Sequence, residues 1–319
     1  MYHRIVEPST DPAAACDPWA ICVTSAAFTE QMQVLAEHRT VIDLGELAAA
    51  DTWAKKAPIA VTFDDGYLDN LVNALPILER WDIPATVFVV GNAVGRTREF
   101  WWDALDRALL STPQLPVDLD FPFGSGKHTF RLVEQPGDAA ALAGWRAETV
   151  PHTARQHLFR ELWDAIVVLE PAAQDDAVDH LLEWAGQPMV APAIRGPVDA
   201  EQLHRFAAHP LITVGSHTLD HPSLTDLSPA MQRVQIHDGH RRVEELVGGS
   251  VDRFSYPFGR VDASARTLVA ELGVSVACTS EPIPAISADD PLRLPRLQAV
   301  EMGGEDFERW LRVDHGLGA

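Results

Sequence analysis

Val61-Thr62-Phe63-Asp64-Asp65-Gly66 reads as a short buried strand that runs straight into two carboxylates and a glycine. Parallel α/β sheets place their active sites at the C-terminal ends of their strands, so two acids at this point suggest such a sheet. Adjacent residues of a regular strand face opposite ways. Gly66 can release the chain from the pleat and let Asp64 and Asp65 turn toward one cavity. Taken alone, the string serves equally well as an ordinary turn.

Outward from this stretch, short apolar runs rich in β-branched residues recur. They lie at Ile59–Phe63, Ala85–Val90, Leu211–Val214, Arg253–Tyr256, Val274–Cys278 and near Leu294–Val300, with Tyr2–Val6 and Val41–Leu44 before them. Several are followed by helical spacing, which predicts strands and helices alternating around a mostly parallel sheet. Phe28, Met32 and Leu35 mark one helix behind Thr24 and Ser25 as caps; Leu268, Val269 and Leu272 mark another that ends at Gly273. Between about Arg96 and Pro197 the rhythm breaks. This stretch holds Phe100-Trp101-Trp102, a Pro/Gly/Asp-rich piece from Thr112 to Lys127, and helical spacing through Leu158, Leu162, Ile166 and Leu169. It is too long for a plain loop. The expectation is a single domain over 1–319 with a mostly helical insertion at about 96–197.

Composition narrows the class. The 319 residues include 25 Lys and Arg against 46 Asp and Glu, a formal net charge of −21, and 46% are hydrophobic. That is the make-up of a globular protein whose surface repels phosphate backbones, so nucleic acid is excluded as a partner while a metal cation would be attracted. Cys16, Cys22 and Cys278 are too few and too far apart for a disulfide framework or a metal cluster. No run is long enough for a membrane span. The first residues lack a basic and an apolar segment of the secretory type, which predicts a cytoplasmic location, although the abrupt opening on a strand leaves export open.

A second chemical signal follows another apolar strand: Gly215-Ser216-His217-Thr218-Leu219-Asp220-His221-Pro222. Two imidazoles four residues apart share a face if the segment makes one helical turn. Together with one aspartate they form a mixed oxygen and nitrogen set that holds a divalent ion and leaves positions for water and substrate.

TFDDG at Thr62–Gly66, HTLDH at His217–His221 and FSYPFG at Phe254–Gly259 resemble the first three motifs of the polysaccharide deacetylase family, also called carbohydrate esterase family 4 or the NodB-homology domain. The likeness runs from YHRI at Tyr2 to LPRL at Leu294–Leu297. It implies an α/β fold, a distorted (β/α) TIM-like barrel of about seven strands, and metal-dependent hydrolysis of N-acetyl or related amides on sugars. Carried over by position, Asp65, His217 and His221 are the metal ligands and Asp64 the catalytic base. The backbone N–H of Phe258, after Pro257, is an oxyanion donor, and Tyr256 and Pro257 are assigned to substrate contact. One divalent ion is expected, zinc first, with cobalt, nickel, manganese or ferrous iron as alternatives.

Three departures from the family pattern matter. The arginine of the third motif is Ser255, so the usual partner that orients the base is absent there; Arg296 in LPRL is the candidate replacement, or else an ordinary surface cation. The late Leu-x-His motif that supplies the general acid is missing. His3, at the end of the first strand, is the candidate acid, or else a structural histidine; His315 is a weaker alternative. Trp101 and Trp102 are candidates to stack on a sugar ring, or to anchor the insertion. The expected activity is removal of acetyl groups from N-acetylated sugars of a polysaccharide or glycoconjugate. The rivals are an amidohydrolase of the same scaffold acting on a formamide, cyclic amide or N-acyl small molecule, and a carbohydrate-binding protein without turnover. Oligomeric state is left open.

Overall fold

The structure is a computed structural model that describes residues 1–48, 58–123 and 126–317; positions 124 and 125 of the Thr112–Lys127 piece lie outside the described residues. The chain opens with β1 (Arg4–Val6), β2 (Cys22–Thr24), α1 (Ser25–His38), β3 (Val61–Phe63), α2 (Leu75–Trp81) and β4 (Ala85–Val89). It continues through α3 (Trp101–Leu109), β5 (Asp118–Phe123), β6 (Gly126–Arg131), α4 (Ala154–Ile166) and α5 (Pro171–Trp184). Then come α6 (Ala200–Ala207), β7 (Ile212–Ser216), α7 (Pro229–Arg233), α8 (Gly239–Val247), β8 (Arg253–Ser255), α9 (Ala263–Glu271), β9 (Val276–Cys278) and α10 (Gly304–Arg309). No helix among the described residues is long and apolar enough to cross a membrane.

Two compact units divide the chain. The first comprises residues 1–7, 22–96 and 197–319. Its sheet has the order β3-β4-β7-β8-β9, every pair parallel, with Val61 opposite Ala85, Ala85 opposite Ile212, Ser216 opposite Phe254 and Ser255 opposite Cys278. Parallel bridges from Tyr2 to Phe63 and from Cys278 to Leu294 extend it at both edges, which makes the distorted (β/α) barrel with about seven strand positions. The strands are nearly continuous in their burial, as parallel strands covered on both faces must be. Tyr2, Phe28 and Phe63 form an aromatic trio with ring centroids 5.1 to 5.8 Å apart. The α1 helix starts where Thr24 accepts from Ala27 N–H, the cap its sequence promised.

The details correct several expected strands. Cys22–Thr24 pairs in parallel with Arg4–Val6, a strand too short to announce itself by alternation. Val41 makes only a bridge to Ile59, and Leu44 begins a 3-10 turn. Leu294–Val300 contributes a single bridge, since the next N–H in line to continue it, that of Arg296, donates to Glu281 O instead.

The second unit comprises residues 8–21 and 97–196. It packs α3, α4 and α5, and it also carries the antiparallel hairpin β5–β6, with Asp118 opposite Arg131 and Phe123 opposite Gly126. The insertion is therefore less purely helical than its sequence suggests. Trp101 and Trp102 are 6% and 5% exposed; Trp102 stacks on Phe100 at 4.6 Å, and Trp101 lies 4.7 Å from Trp163. Their rings are core of this unit, with no open face for a pyranose. In the same unit Arg195 holds Asp11 at 2.7 Å and Glu99 at 2.8 Å, and Glu99 also takes Arg107 at 2.6 Å.

Candidate active site

The ends of several parallel strands of the first unit bring one cluster of polar side chains together. β3 ends in Asp64 and Asp65, and the segment after β7 carries His217 and His221. The turn after β8 holds Pro257 and Phe258, and Arg296 follows the bridge at Leu294. The turns are strained. Among the described residues, non-glycine positive φ occurs here at Asp65 (73°), Thr218 (65°), His221 (61°) and Phe258 (57°), and elsewhere only at Ala20 and Asp82. Such backbone costs on the order of 1–3 kcal/mol per residue and tends to concentrate where a site is shaped. At Asp65 it swings the carboxylate out of strand alternation, and Gly66 (φ 75°) completes the turn.

Asp65, His217 and His221 are all buried, and one ligand atom of each lies within 4.8 Å of the others. Asp65 Oδ1 is 3.5 Å from His217 Nε2 and 3.4 Å from His221 Nε2. The Nδ1–H of His217 donates to the carbonyl of Ser255 at 2.7 Å, which leaves its Nε2 with the lone pair toward Asp65. Burial holds both imidazoles below their ordinary value, His221 further because His217 adds to it, so both are neutral donors at neutral pH. An anionic oxygen with two neutral ring nitrogens converging on it is a donor set that fits a divalent cation. The phenyl ring of Phe258 closes one side, edge to face with His221 at 4.7 Å.

Asp64 sits beside this set and is locked by charge. Arg296 donates through Nη1 to Asp64 Oδ1 at 2.8 Å and through Nη2 to Oδ2 at 2.6 Å, a bidentate pair. Ser255 stands where the motif that FSYPFG resembles has an arginine. Its hydroxyl accepts from Arg296 at 2.9 Å and donates to Asp64 Oδ2 at 3.3 Å. Thr279 O and Thr62 Oγ1 take the remaining donors of Arg296 at 2.8 and 3.2 Å. Burial works to raise the Asp64 carboxyl, but Arg296 and His217 outweigh it and hold it well below the usual carboxylate range.

His3 lies in the field of the same groups. Burial pushes its imidazole down to about 4, against the pull of Asp64 and with help from Arg296 and His217. Its Nδ1 is buried without a hydrogen-bond partner among the described residues, and its carbonyl accepts from Asn70 at 2.7 Å. His315 instead packs edge to face on Trp310 at 4.7 Å.

Of the residues expected at the site, Asp64, Asp65, His217, His221, Arg296, His3, Pro257 and Phe258 are thus brought into one neighbourhood. Tyr256 is not available for substrate contact: its ring is fully buried beside Phe254 and its hydroxyl donates to Leu292 O at 3.0 Å. Trp101 and Trp102 belong to the core of the second unit. Sequence reasoning missed the supporting role of Ser255, whose only signal was the arginine it replaces. It also missed Asn92 and Gln235, which hold Asp220 and carry no motif.

Comparison with known proteins places this chain among relatives. The sequence profile of the family described as polysaccharide deacetylase matches residues 52–133 and 172–277, more than half of the chain. YxkH of Bacillus subtilis (strain 168), by its name a candidate polysaccharide deacetylase, is 20% identical over 224 residues, 70% of this chain. The chain spans 45% of the length of that relative. Among solved structures, the Streptococcus pyogenes deacetylase PplD, in complex with acetate, is similar with a TM-score of 0.59 at 17% identity, covering 97% of this chain and 95% of its own. IcaB from Ammonifex degensii is similar with a TM-score of 0.53 at 17% identity, covering 97% of this chain and 92% of its own.

Proposed function

Because this chain belongs to the polysaccharide deacetylase family, we propose that it removes acetyl groups from N-acetylated sugars of a polysaccharide or glycoconjugate, using one divalent metal ion, zinc in the first instance. The observation that carries the reading is the convergence of Asp65, His217 and His221 beside the Arg296-locked Asp64. The whole chain then works as one barrel domain, with the segment at about 96–197 as an insertion in it.

An ion held by Asp65, His217 and His221 would supply a lowered pKa for water and polarisation of the acyl oxygen. Asp64 is the general base. Its two oxygens are oriented by Arg296; Oδ2 accepts from both Arg296 and Ser255, while Oδ1 accepts from Arg296 alone among the described residues and keeps a lone pair for the proton of the attacking water. The backbone N–H of Phe258 is the donor assigned to the acyl oxygen as it becomes negative. His3 is the acid for the departing amine. It is neutral at rest, so the proton that Asp64 takes from the water must reach it before it passes to the amine nitrogen, and negative charge building on the acyl oxygen favours its protonation.

Acetate and formate release over a panel of N-acetylated, N-formylated and O-acetylated saccharides tests the assignment. Acetate from N-acetylated sugars is the expected product. Formate as the main product would replace the substrate class with a formamide, and no product from any member would overturn the hydrolase reading.

A further inference from the structure

The loop that carries both imidazoles is strained at Thr218 and His221, so something outside it must hold its shape. One restraint comes from the segment after β4: Gly91 N–H donates to Thr218 O at 3.0 Å and Asn92 N–H to Leu219 O at 2.8 Å. Asn92 Nδ2 also donates to Asp220 Oδ1 at 2.8 Å. The other comes from a π-helical turn, Val234–Asp238, set between α7 and α8. Such turns inside helices recur at functional sites. There the main-chain carbonyl of Gln235 accepts from Leu219 N–H at 3.0 Å and its side-chain Oε1 from Asp220 N–H at 2.9 Å. Its Nε2 donates to Asp220 Oδ2 at 2.8 Å. Gln235 is 6% exposed, while Asp220 is half-buried. One turn on, Gly239 lets the helix backbone press against the loop. A Cβ there would stand 2.4 Å from both Leu219 N and Thr218 C.

Asp220 is therefore no part of the Asp65–His217–His221 set, although it lies between the two histidines in sequence. Its two oxygens are engaged by Asn92 and Gln235. We propose that Gln235 is a positioning residue: by gripping Asp220 through both ends of its amide, it fixes the backbone from which His217 and His221 reach a metal ion. The proposal rests on the reading of those histidines and Asp65 as metal ligands.

The two-way amide grip allows a swap. Gln235→Glu sets a carboxylate against that of Asp220. Adding Asp220→Asn restores complementarity, because the carboxylate introduced at position 235 can accept both from the backbone N–H of position 220 and from the new amide, while Asn92 still has an oxygen to bind. The experiment is titration of cobalt(II) into the chelator-stripped full chain, following affinity and the visible ligand-field bands, with the melting temperature of the metal-free protein alongside. Gln235→Glu should bind cobalt about 10–100-fold more weakly, with altered bands, as loss of a support behind metal ligands generally does. The double variant should return to within about threefold of wild type, a rescue that depends on the amide-carboxylate exchange. If Gln235→Glu does not fold, the double variant still decides: it should fold and bind. A Gln235→Glu protein with wild-type affinity and bands, even one of lower melting temperature, would overturn the proposal alone, as would a double variant that binds no better than Gln235→Glu. A wild type that binds no cobalt would overturn the metal reading and this proposal with it.

Discussion

Asp64 and Asp65 are neighbours in sequence with opposite surroundings, and that difference divides the roles proposed for them. Asp64 is paired bidentately with Arg296, whereas Asp65 faces imidazole nitrogens at 3.4–3.5 Å in the cluster. Asp64→Asn should keep the metal and lower kcat by a factor of roughly 10²–10⁴, the usual worth of a general base. Asp65→Asn should instead lose metal affinity, so metal content after dialysis separates the two. Arg296→Lys should not restore the wild-type rate, because a point charge cannot reproduce the fork that meets both oxygens of Asp64. Steady-state kinetics on an N-acetylated saccharide check this. Arg296 was legible in LPRL because it follows a late apolar run. The hydroxyl of Ser255 was not, since a serine in place of an arginine reads as a loss until its distance to Asp64 is seen.

Strands set the site, and the sequence told where most of them run. VTFDDG, the run before His217 and the run before Pro257 are each buried strands followed by a strained turn, and their unbroken apolar runs made them visible. What stayed hidden were strands that no apolar run announces. β2 is three residues long, and β5 alternates Asp118, Leu119, Asp120 and Phe121 inside a stretch whose prolines and glycines read as loop. Another hidden element is a polar tie in the first unit. Asp43 accepts from Arg253 at 2.9 Å, from Thr213 at 2.9 Å and from Gly45 N–H at 2.8 Å. Burial works to raise the Asp43 carboxyl, but Arg253 and the Gly45 and Thr213 donors hold it below its ordinary value. A carboxyl whose folded pKa is depressed contributes stability that is present above its unfolded value, about 4, and is lost as pH falls through the folded one. Asp43→Asn should therefore destabilise by about 1.5–3 kcal/mol at pH 7, the worth of hydrogen bonds to a charged group. The difference from wild type should shrink as pH drops below about 4, measured by urea unfolding at a series of pH values.

For the molecule as a whole, the two units carry different burdens. The candidate chemistry lies in the first unit, while the tryptophans that the sequence offers as a sugar platform lie in the core of the second. Trp101→Ala should cost about 3–5 kcal/mol of stability, as removal of a buried aromatic does, and leave KM for a saccharide unchanged. Thermal melting and kinetics together check it; a raised KM with unchanged melting would return the residue to substrate binding. A net charge of −21 favours the approach of a cation such as the proposed metal ion. The most direct measurement is acetate release from an N-acetylated oligosaccharide by the chelator-stripped full chain, before and after one equivalent of zinc, with His217→Ala as the comparison. Metal-dependent deacetylation at Asp65, His217 and His221 requires negligible acetate from the stripped protein, restored release with zinc, and little from His217→Ala under the same conditions. Equal acetate release from all three would contradict it.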